Sequence, residues 1–396
     1  MSVWSSLVGQ EAAVAKLSEA AASARAIVAS RGGAHDSDDA RSMSHAWLIT
    51  GPPGSGRSVA ARAFAAALQC TGETVGCGQC AGCRTTMGRT NADVVFAATE
   101  TSIINVETAR SLVLQAQSSP SQGLWRVIVV EDADRLGESG ANALLKAIEE
   151  PPEHTVWLLC APSPEDMIAT IRSRCRHLGL RIPTAAAVAD LLVREGVATP
   201  EVALEAARAA QSHIGLARAL ARDPQMRERR RAIITAPASV RSVGEAVMAA
   251  DRLLETAKAQ ADAQVSERNA REKAELMRQL GMDEGESATK ASRTMIRQLE
   301  EDQKRRSKRA LTDAIDRALI DLLAIYRDVL MVQVGGDGEL INTDLADLVG
   351  QIARDSTPRQ TLARVDHIET ARKRLVSNGN PLLVLEDMAI SLRPQA

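Results

Sequence analysis

The stretch Gly51-Pro52-Pro53-Gly54-Ser55-Gly56-Arg57-Ser58 decides the fold of this chain. It matches the phosphate-binding pattern G-x-x-x-x-G-K-[ST], whose backbone N–H groups cradle phosphates, except that Arg57 replaces the lysine. The apolar run 46–50 before it has the character of a buried strand, and the alanine-rich stretch 59–68 after it has that of a helix. This order predicts a phosphate-binding loop with a helix N-terminus facing the anion.

Arg57 puts the catalytic competence of the loop in question. Arginine keeps the positive charge of lysine but spreads it over a broad planar fork, which would crowd a triphosphate. The three glycines would still present N–H groups to an anion, and Ser58 could still reach Mg²⁺. We therefore expect a degenerate site at which binding of ATP and Mg²⁺ is weak or absent.

Composition and charge limit the class of protein. The chain has 396 residues, which suits two or three domains, and its net charge of -2 provides no global basic field for nucleic-acid binding. Aromatic residues make up only 2%, which favours helical packing and removes a stacking platform for single strands. Neither a signal peptide nor a run of about 18 apolar residues is present, so we expect a soluble, cytoplasmic protein.

The hydrophobic pattern divides the chain into an α/β part and helical parts. Up to residue 178, short apolar runs alternate with helical patterns, which predicts a parallel sheet. The runs are 47–50, 92–97, 126–130 and 155–160. A polar insert at 31–41 predicts a surface loop. The segment 266–310 is dense in mixed charge, with an interruption at 281–285, and predicts long exposed helices.

Four closely spaced cysteines predict a metal site. They form the pattern C-x6-C-x2-C-x2-C and are Cys70, Cys77, Cys80 and Cys83. In a reducing cytosol such thiols suit one tetrahedral Zn²⁺. The alternative, ordinary buried cysteines, is disfavoured because the intervening residues are small and polar. Four protein ligands leave no open position, so the predicted zinc is structural.

Two further segments complete the predicted site. The strand 127–130 ends in Glu131-Asp132, similar to the acidic strand end that holds Mg²⁺ and activates water, although the expected order is Asp then Glu. The alternative is a strand that ends in a solvated acidic turn. Arg174 follows the fourth apolar run, and alone such an arginine is usually a solvated surface group. The candidate nucleotide-site residues are Gly51, Gly54, Gly56, Arg57, Ser58, Glu131 and Asp132.

Ordered motifs along residues 1 to about 222 together resemble the clamp-loader subunits of bacterial DNA polymerase III, an AAA+ family, and most of all their delta-prime type. These motifs are 44–47, 51–58, the cysteine quartet, 131–136, 141–152 and 173–175. The resemblance implies an AAA+ RecA-like domain at 1–178 with a zinc-binding insertion at 70–83. It further implies a helical lid at 179–228 and an all-α collar domain at 229–396 for oligomerisation.

The resemblance also implies a function. In that family a pentameric ring uses ATP to load the sliding clamp on primed DNA during DNA replication. The delta-prime type usually does not hydrolyse ATP. It gives an arginine finger, here Arg174, in trans to the neighbouring tau/gamma-type ATPase subunit, and the ring also contains a delta-type subunit. A guanidinium supplied in this way stabilises charge on the transferring phosphoryl group.

Departures from the pattern of an active ATPase agree with a non-hydrolysing role. Arg57 replaces the lysine, and the acidic pair 131–132 is inverted. In the lid, Gly215 falls where active relatives carry a sensing arginine, and Arg218 lies one helical turn further on. After the fourth strand, Ala161-Pro162 replaces a Thr-Thr pair that can hydrogen-bond a γ-phosphate.

Two alternatives stay open. One is a catalytically active clamp-loader ATPase subunit, which Arg57 disfavours and which steady-state ATPase of the isolated chain would reveal. The other is a zinc-dependent DNA-binding protein that uses the cysteine cluster and the basic runs 227–231 and 304–309. Acidic residues flank both runs, which favours solvated helix faces over a DNA-binding stripe.

Overall fold

A five-stranded parallel sheet forms the centre of the N-terminal part of the chain. The strands are β1 Ala46–Thr50, β2 Val94–Ala97, β3 Arg126–Val130, β4 Thr155–Ala161 and β5 Arg176–Gly179. Their order in the sheet is β2-β3-β4-β1-β5, and every neighbouring pair is parallel. All residues of β1, β3 and β4 are buried, because these inner strands are covered on both faces.

The computed structural model describes residues 2–29, 42–97, 103–280 and 290–393. The predicted loop at 31–41 and the predicted interruption at 281–285 lie outside these residues. The chain divides into two compact units, Met1–Ala221 and Arg222–Ala396. The finer division at residues 178 and 228 stays a prediction.

The first unit has helices that cover both faces of the sheet and further helices after β5. They are α1 Glu11–Ala29, α2 Arg57–Leu68, α3 Ala81–Met87, α4 Val106–Ala116, α5 Glu138–Glu149, α6 Ala169–Arg172, α7 Ala185–Arg194, α8 Pro200–Ala209 and α9 Ile214–Arg222. Successive strand residues point to opposite faces, so alternate residues of β1 join different apolar clusters. One cluster includes α1 and α2, and the other includes α4 and α5.

β5 is a strand that the apolar runs do not predict. It pairs with β1 alone and lies at the edge of the sheet. Only Leu178 among its four residues is buried, while Arg176, His177 and Gly179 are exposed. An edge strand with one buried side chain lacks the continuous apolar run by which the inner strands are recognised.

Helices make up the second unit, whose described residues contain no strand. They are α10 Pro224–Ser239, α11 Val243–Gln279, α12 Lys290–Gln333, α13 Ala346–Asp355, α14 Pro358–Val376 and α15 Pro381–Ser391. α11 begins with a capping box between Ser242 and Glu245, and its apolar side packs with α12 and α15 around Leu254, Leu319 and other buried residues.

The charged segment 266–310 lies on the end of α11 and the start of α12. Its two helices are joined largely by polar contacts, in which Arg306 meets Glu272 at 2.9 Å and Gln303 donates to the Asn269 carbonyl at 2.9 Å. The described part of this segment is helical and mostly exposed. In the described ranges, no helix is both long and apolar enough to cross a membrane.

The predicted architecture is confirmed: an α/β unit with a phosphate-binding loop and a parallel sheet is followed by helical structure. Because all five strands are parallel, their carboxyl ends meet at one edge of the sheet, where ligands of α/β proteins bind. Gly51 directly follows β1 and Glu131 directly follows β3, so the fold brings both candidate segments to that edge.

Candidate functional site

The phosphate-binding loop has the backbone geometry that its glycines permit. Gly54 and Gly56 have φ of 92° and 91°, in the left-handed region, and Gly56 is the N-cap of α2. The Gly51 N–H donates to the Pro162 carbonyl at 3.1 Å, which ties the loop to the end of β4. The loop therefore presents the N-terminus of α2 as predicted, with Ser58 in the first helical turn.

Arg57 is turned back onto its own loop. Its guanidinium donates a hydrogen bond to the Gly51 carbonyl, six residues earlier. A phosphate-binding lysine would instead direct its ammonium at the β- and γ-phosphates. In this arrangement one N–H donor of Arg57 is used by the first residue of the loop.

The segment before α9 packs against the loop. Gln211 and Ser212 have φ of 49° and 63°, and this turn brings His213 to the loop. A Cβ at Gly54 would lie only 2.9 Å from the His213 Cα, so no side chain fits there. Arg218 pairs with Glu195 at 2.8 Å, which holds its guanidinium at the end of α7.

Glu131 is engaged by an arginine rather than free for a metal. Its carboxylate pairs with Arg89 at 2.5 Å, and its side chain is only 13% exposed. The Arg89 guanidinium also lies 4.9 Å from the Phe96 ring centroid. Burial and repulsion by Arg89 lower the pKa of Arg62 on α2, while Glu131 opposes that shift. Asp132 follows as the N-cap of a 3-10 helix, Ala133–Arg135.

The four predicted cysteine ligands converge. The sulfur atoms of Cys70, Cys77, Cys80 and Cys83 all lie within 4.8 Å of one another. Zn–S bonds of about 2.3 Å in a tetrahedron place sulfurs about 3.8 Å apart. The Sγ atoms of Cys70 and Cys80 are 3.9 Å apart, so the cluster has the size of a four-thiolate metal site.

Backbone N–H groups stabilise the thiolate form of Cys80, whereas burial raises the pKa of Cys83. Gln79 and Cys80 donate to the Cys77 sulfur, and Cys83 donates to the Cys80 sulfur, each at 3.4 Å. Burial opposes ionisation of Cys80, but backbone hydrogen bonds from Cys83 and Thr71 outweigh it and lower the pKa of Cys80 to about 6. This donor set fits a thiophilic metal such as zinc, and its closed coordination would supply structural rather than catalytic chemistry.

The cysteine module is attached to the core of the first unit. Cys70 follows α2, and Cys80 is the N-cap of α3. Arg25 on α1 donates to the carbonyls of Cys70 at 2.9 Å and Glu73 at 3.0 Å. The same module therefore connects to both helices on one face of the sheet.

Arg174 lies near the amino ends of the strands, whereas the phosphate-binding loop lies at their carboxyl ends. Arg174 lies two residues before β5. The first residue of β5, Arg176, pairs with Trp47 near the start of β1, whereas the loop begins after Thr50 at the end of β1. The strand from Trp47 to Gly51 alone spans about 13 Å at roughly 3.3 Å per residue. Arg174 is thus separated from the nucleotide site of its own chain.

Glu149 holds the Arg174 side chain at the surface. The Arg174 Nε–H donates to the Glu149 carboxylate at the end of α5. The Nη1 of the same guanidinium donates to the Thr170 carbonyl at 2.8 Å. About two fifths of each side chain is exposed. The guanidinium is therefore oriented and also accessible to a second molecule.

Sequence reasoning missed three residues of these sites. Gln10 is buried, and its amide donates to the carbonyls of Ser55 at 3.2 Å and Arg181 at 2.5 Å, so it fixes the phosphate-binding loop. Arg89 and Glu149 contact residues 42 and 25 positions away, and no local pattern marks such pairs. Of the three, only Gln10 has a recognisable feature in the sequence, because it is a polar residue that follows Gly9 beside an apolar segment.

Comparisons with known proteins give matches to part of this chain. A model of the family described as "DNA polymerase III, delta subunit" matches residues 35–184. The gamma/tau subunit of DNA polymerase III from Mycobacterium tuberculosis (strain ATCC 25618 / H37Rv) is 35% identical over 159 residues, which are 39% of this chain and 28% of the relative. The delta' subunit from Pseudomonas aeruginosa is 34% identical over 165 residues, 41% of this chain and 50% of the relative.

The chain spans between about a quarter and a half of the length of these curated relatives. A gamma-subunit-related protein from Thermotoga maritima has a solved structure that aligns over 94% of this chain and 98% of its own, with 16% identity and a TM-score of 0.41. The residues that the family model matches, 35–184, include the loop, the cysteine module and the sheet. This part of the chain is therefore similar in sequence to subunits of DNA polymerase III.

Proposed function

We propose that the chain is a delta-prime-type subunit of a DNA polymerase III clamp loader, and that it supplies Arg174 in trans to a neighbouring subunit's nucleotide. The observation that carries this proposal is the position of Arg174 at the sheet edge remote from its own loop. An exposed, oriented guanidinium that cannot serve its own site has the placement that a trans-acting group requires. Such a group accelerates phosphoryl transfer by about 10³–10⁵ in known NTPases.

Its own nucleotide site is proposed to be catalytically silent. Arg57 donates to the loop carbonyl of Gly51, and Glu131 is paired with Arg89. Gly215 offers no side chain in the lid, and Arg218 is paired with Glu195. Arg57, Glu131 and Arg218 are thus occupied by other groups of the chain, although Ser58 and the loop N–H groups still permit weak nucleotide binding.

The proposed partners follow from the same reading. They are a tau/gamma-type ATPase subunit and a delta-type subunit in a pentameric ring, with the sliding clamp and primed DNA reached through the complex. In this proposal the cysteine module binds one Zn²⁺ and stabilises the fold without entering the chemistry.

The test is DNA-stimulated ATP hydrolysis by the reconstituted complex. Arg174→Ala should lower turnover at the adjoining site by about a thousandfold or more, since the transition-state charge loses its guanidinium. Arg172→Ala is the matched control, because this exposed arginine on α6 only donates to the Pro164 carbonyl at 3.3 Å. Equal, normal turnover by both variant complexes would refute the proposal.

A second candidate is an active ATPase subunit of the gamma/tau type. The chain is 35% identical to a gamma/tau subunit and 34% identical to a delta' subunit, so sequence identity favours the two candidates equally. Steady-state phosphate release by the purified chain separates the two, and rapid hydrolysis would establish the second. The zinc-dependent DNA-binding alternative has less support. In the basic run 227–231, Arg230 is buried and pairs with Asp321 at 3.0 Å, so it is not available to phosphates.

A further inference from the structure

The second unit contains a cavity of about 370 Å³ between α10, α12, α13 and α14. Its size is within the usual range of small-molecule sites. Polar and charged groups line it, among them Thr235, Arg241, Gln351, Asp355 and Arg364. Apolar side chains such as Ile352 and Leu392 form the rest of the wall. The cavity thus combines an apolar wall with several polar groups.

Arg364 is the unusual member of this lining. It lies on α14, is only 8% exposed, and its guanidinium is 5.8 Å from the Tyr326 ring centroid. Within the described ranges it makes no hydrogen bond or ion pair with the protein. The nearby buried arginine Arg230, by contrast, donates to both Asp321 and Asn342.

The Arg364 guanidinium lines the cavity without a counter-charge from the described part of the protein. Arginine stays protonated in proteins, so its positive charge and its N–H donors are unused at the cavity wall. The contact with the Tyr326 ring compensates only part of this charge. A guanidinium exposes donors in a planar fork that matches phosphate or carboxylate, so an oxyanion supplies what the protein does not.

We propose that this cavity is a binding site for a small oxyanion, either phosphate or a carboxylate, held by the Arg364 guanidinium against Tyr326. Arg241 adds a second positive charge at the exposed side, where it donates to the Ala238 carbonyl at 2.7 Å. The cavity wall also includes the carboxylate of Asp355, at the exposed end of α13, and its negative charge repels the anion. The site is independent of the nucleotide loop and of Arg174.

The chain offers a readout specific to this cavity. Tyr326 is the only tyrosine among the 396 residues, so ¹³C-labelled tyrosine gives the signals of one ring. Inorganic phosphate titrated into the full-length, zinc-loaded chain should shift these signals saturably, and sodium chloride at equal ionic strength should not. Malonate in a parallel titration distinguishes a carboxylate ligand from phosphate.

Variants assign the binding to Arg364. Arg364→Gln should weaken phosphate or malonate binding at least tenfold, and Asp355→Asn should strengthen it. Arg359→Gln is the matched control, since it removes an exposed positive charge from the same helix. If Arg364→Gln does not fold, Arg364→Lys keeps the charge without the fork and should still weaken binding severalfold. Unshifted tyrosine signals with both anions, or equal weakening by Arg359→Gln, would overturn the proposal.

Discussion

Asp93 lies directly before β2 and is fully buried, and its carboxylate holds the loop that leads into β3. It accepts hydrogen bonds from the N–H groups of Ser121, Gln122 and Gly123 at 2.6–2.8 Å. Arg126 lies 3.7 Å away. Burial alone would raise the pKa of Asp93, but these N–H donors outweigh it and lower the pKa to about 2. A single charged side chain therefore organises a turn without regular structure.

Asp93→Asn should destabilise the first unit by about 2 kcal/mol at pH 7, since lowering the pKa of this carboxyl from its ordinary value of 3.8 to about 2 stabilises the folded state by that order. The folded pKa is the lower one, so this contribution is complete above about pH 4 and is lost as pH falls toward 2. Urea unfolding followed by tryptophan fluorescence measures it, because all four tryptophans lie in residues 1–221.

The matched control is Asp190→Asn, which removes an exposed carboxylate from α7. It should change stability by less than about 0.5 kcal/mol at every pH. A difference between wild type and Asp93→Asn that stays constant from pH 7 to pH 2.5 would contradict the assigned role of the carboxylate.

α3 depends at its first turn on a cysteine that is also a candidate metal ligand. The Cys80 sulfur accepts from the Cys83 N–H, which caps the helix. Gly82 lies so close to the Gln69 carbonyl that an added Cβ would be 2.0 Å from its oxygen. The short helix is therefore fixed from its N-terminus and against the end of α2.

Metal analysis of purified protein should return about one zinc per chain. Cys80→Ser should reduce that content and lower the stability of the first unit by about 2 kcal/mol or more, or roughly 4–8 °C in Tm. Cys175→Ser is the control, because Cys175 lies outside the cluster, and should keep the metal. Full zinc content in the Cys80→Ser protein would show that the four sulfurs do not form the site.

Local patterns predicted those parts of the fold that are decided locally. The geometry of the loop 51–58 and of the cysteine cluster is determined by residue types and spacings within short segments. The inner strands are buried on both faces, so their sequences are continuously apolar. β5 and Gln10 escaped because each is defined by partners distant in sequence. Arg89 and Glu149 escaped for the same reason, since the ion pairs that they form exist only once the sheet has assembled.

At the scale of the whole molecule, the second unit is held together by a buried polar network as well as by its apolar core. Arg230 on α10 pairs with Asp321 on α12 and donates to Asn342 at 2.6 Å. Asn342 in turn donates to the fully buried carboxylate of Asp328 at 2.8–2.9 Å. Burial raises the pKa of Asp321 even though Arg230 opposes that shift, which shows how far this pair is withdrawn from water.

Arg230→Ala should destabilise the second unit by about 3–5 kcal/mol, because it leaves the Asp321 carboxylate buried without its counter-charge. Urea unfolding followed by far-UV circular dichroism checks this value. Arg229→Ala is the control, since the exposed Arg229 only donates to Gln225 one helical turn away, and should cost less than about 0.5 kcal/mol. Equal midpoints for the two variants would argue against the network.

The connection from α3 to Glu131 has a consequence for a cell short of zinc. α3 ends at Met87, and two residues later Arg89, with φ of 59°, reaches the acidic end of β3. Metal depletion that loosened this helix would release the arginine and leave an uncompensated carboxylate beside an otherwise intact phosphate cradle. The supply of metal would then determine the electrostatics beside the phosphate-binding loop, and not only the stability of the cysteine module.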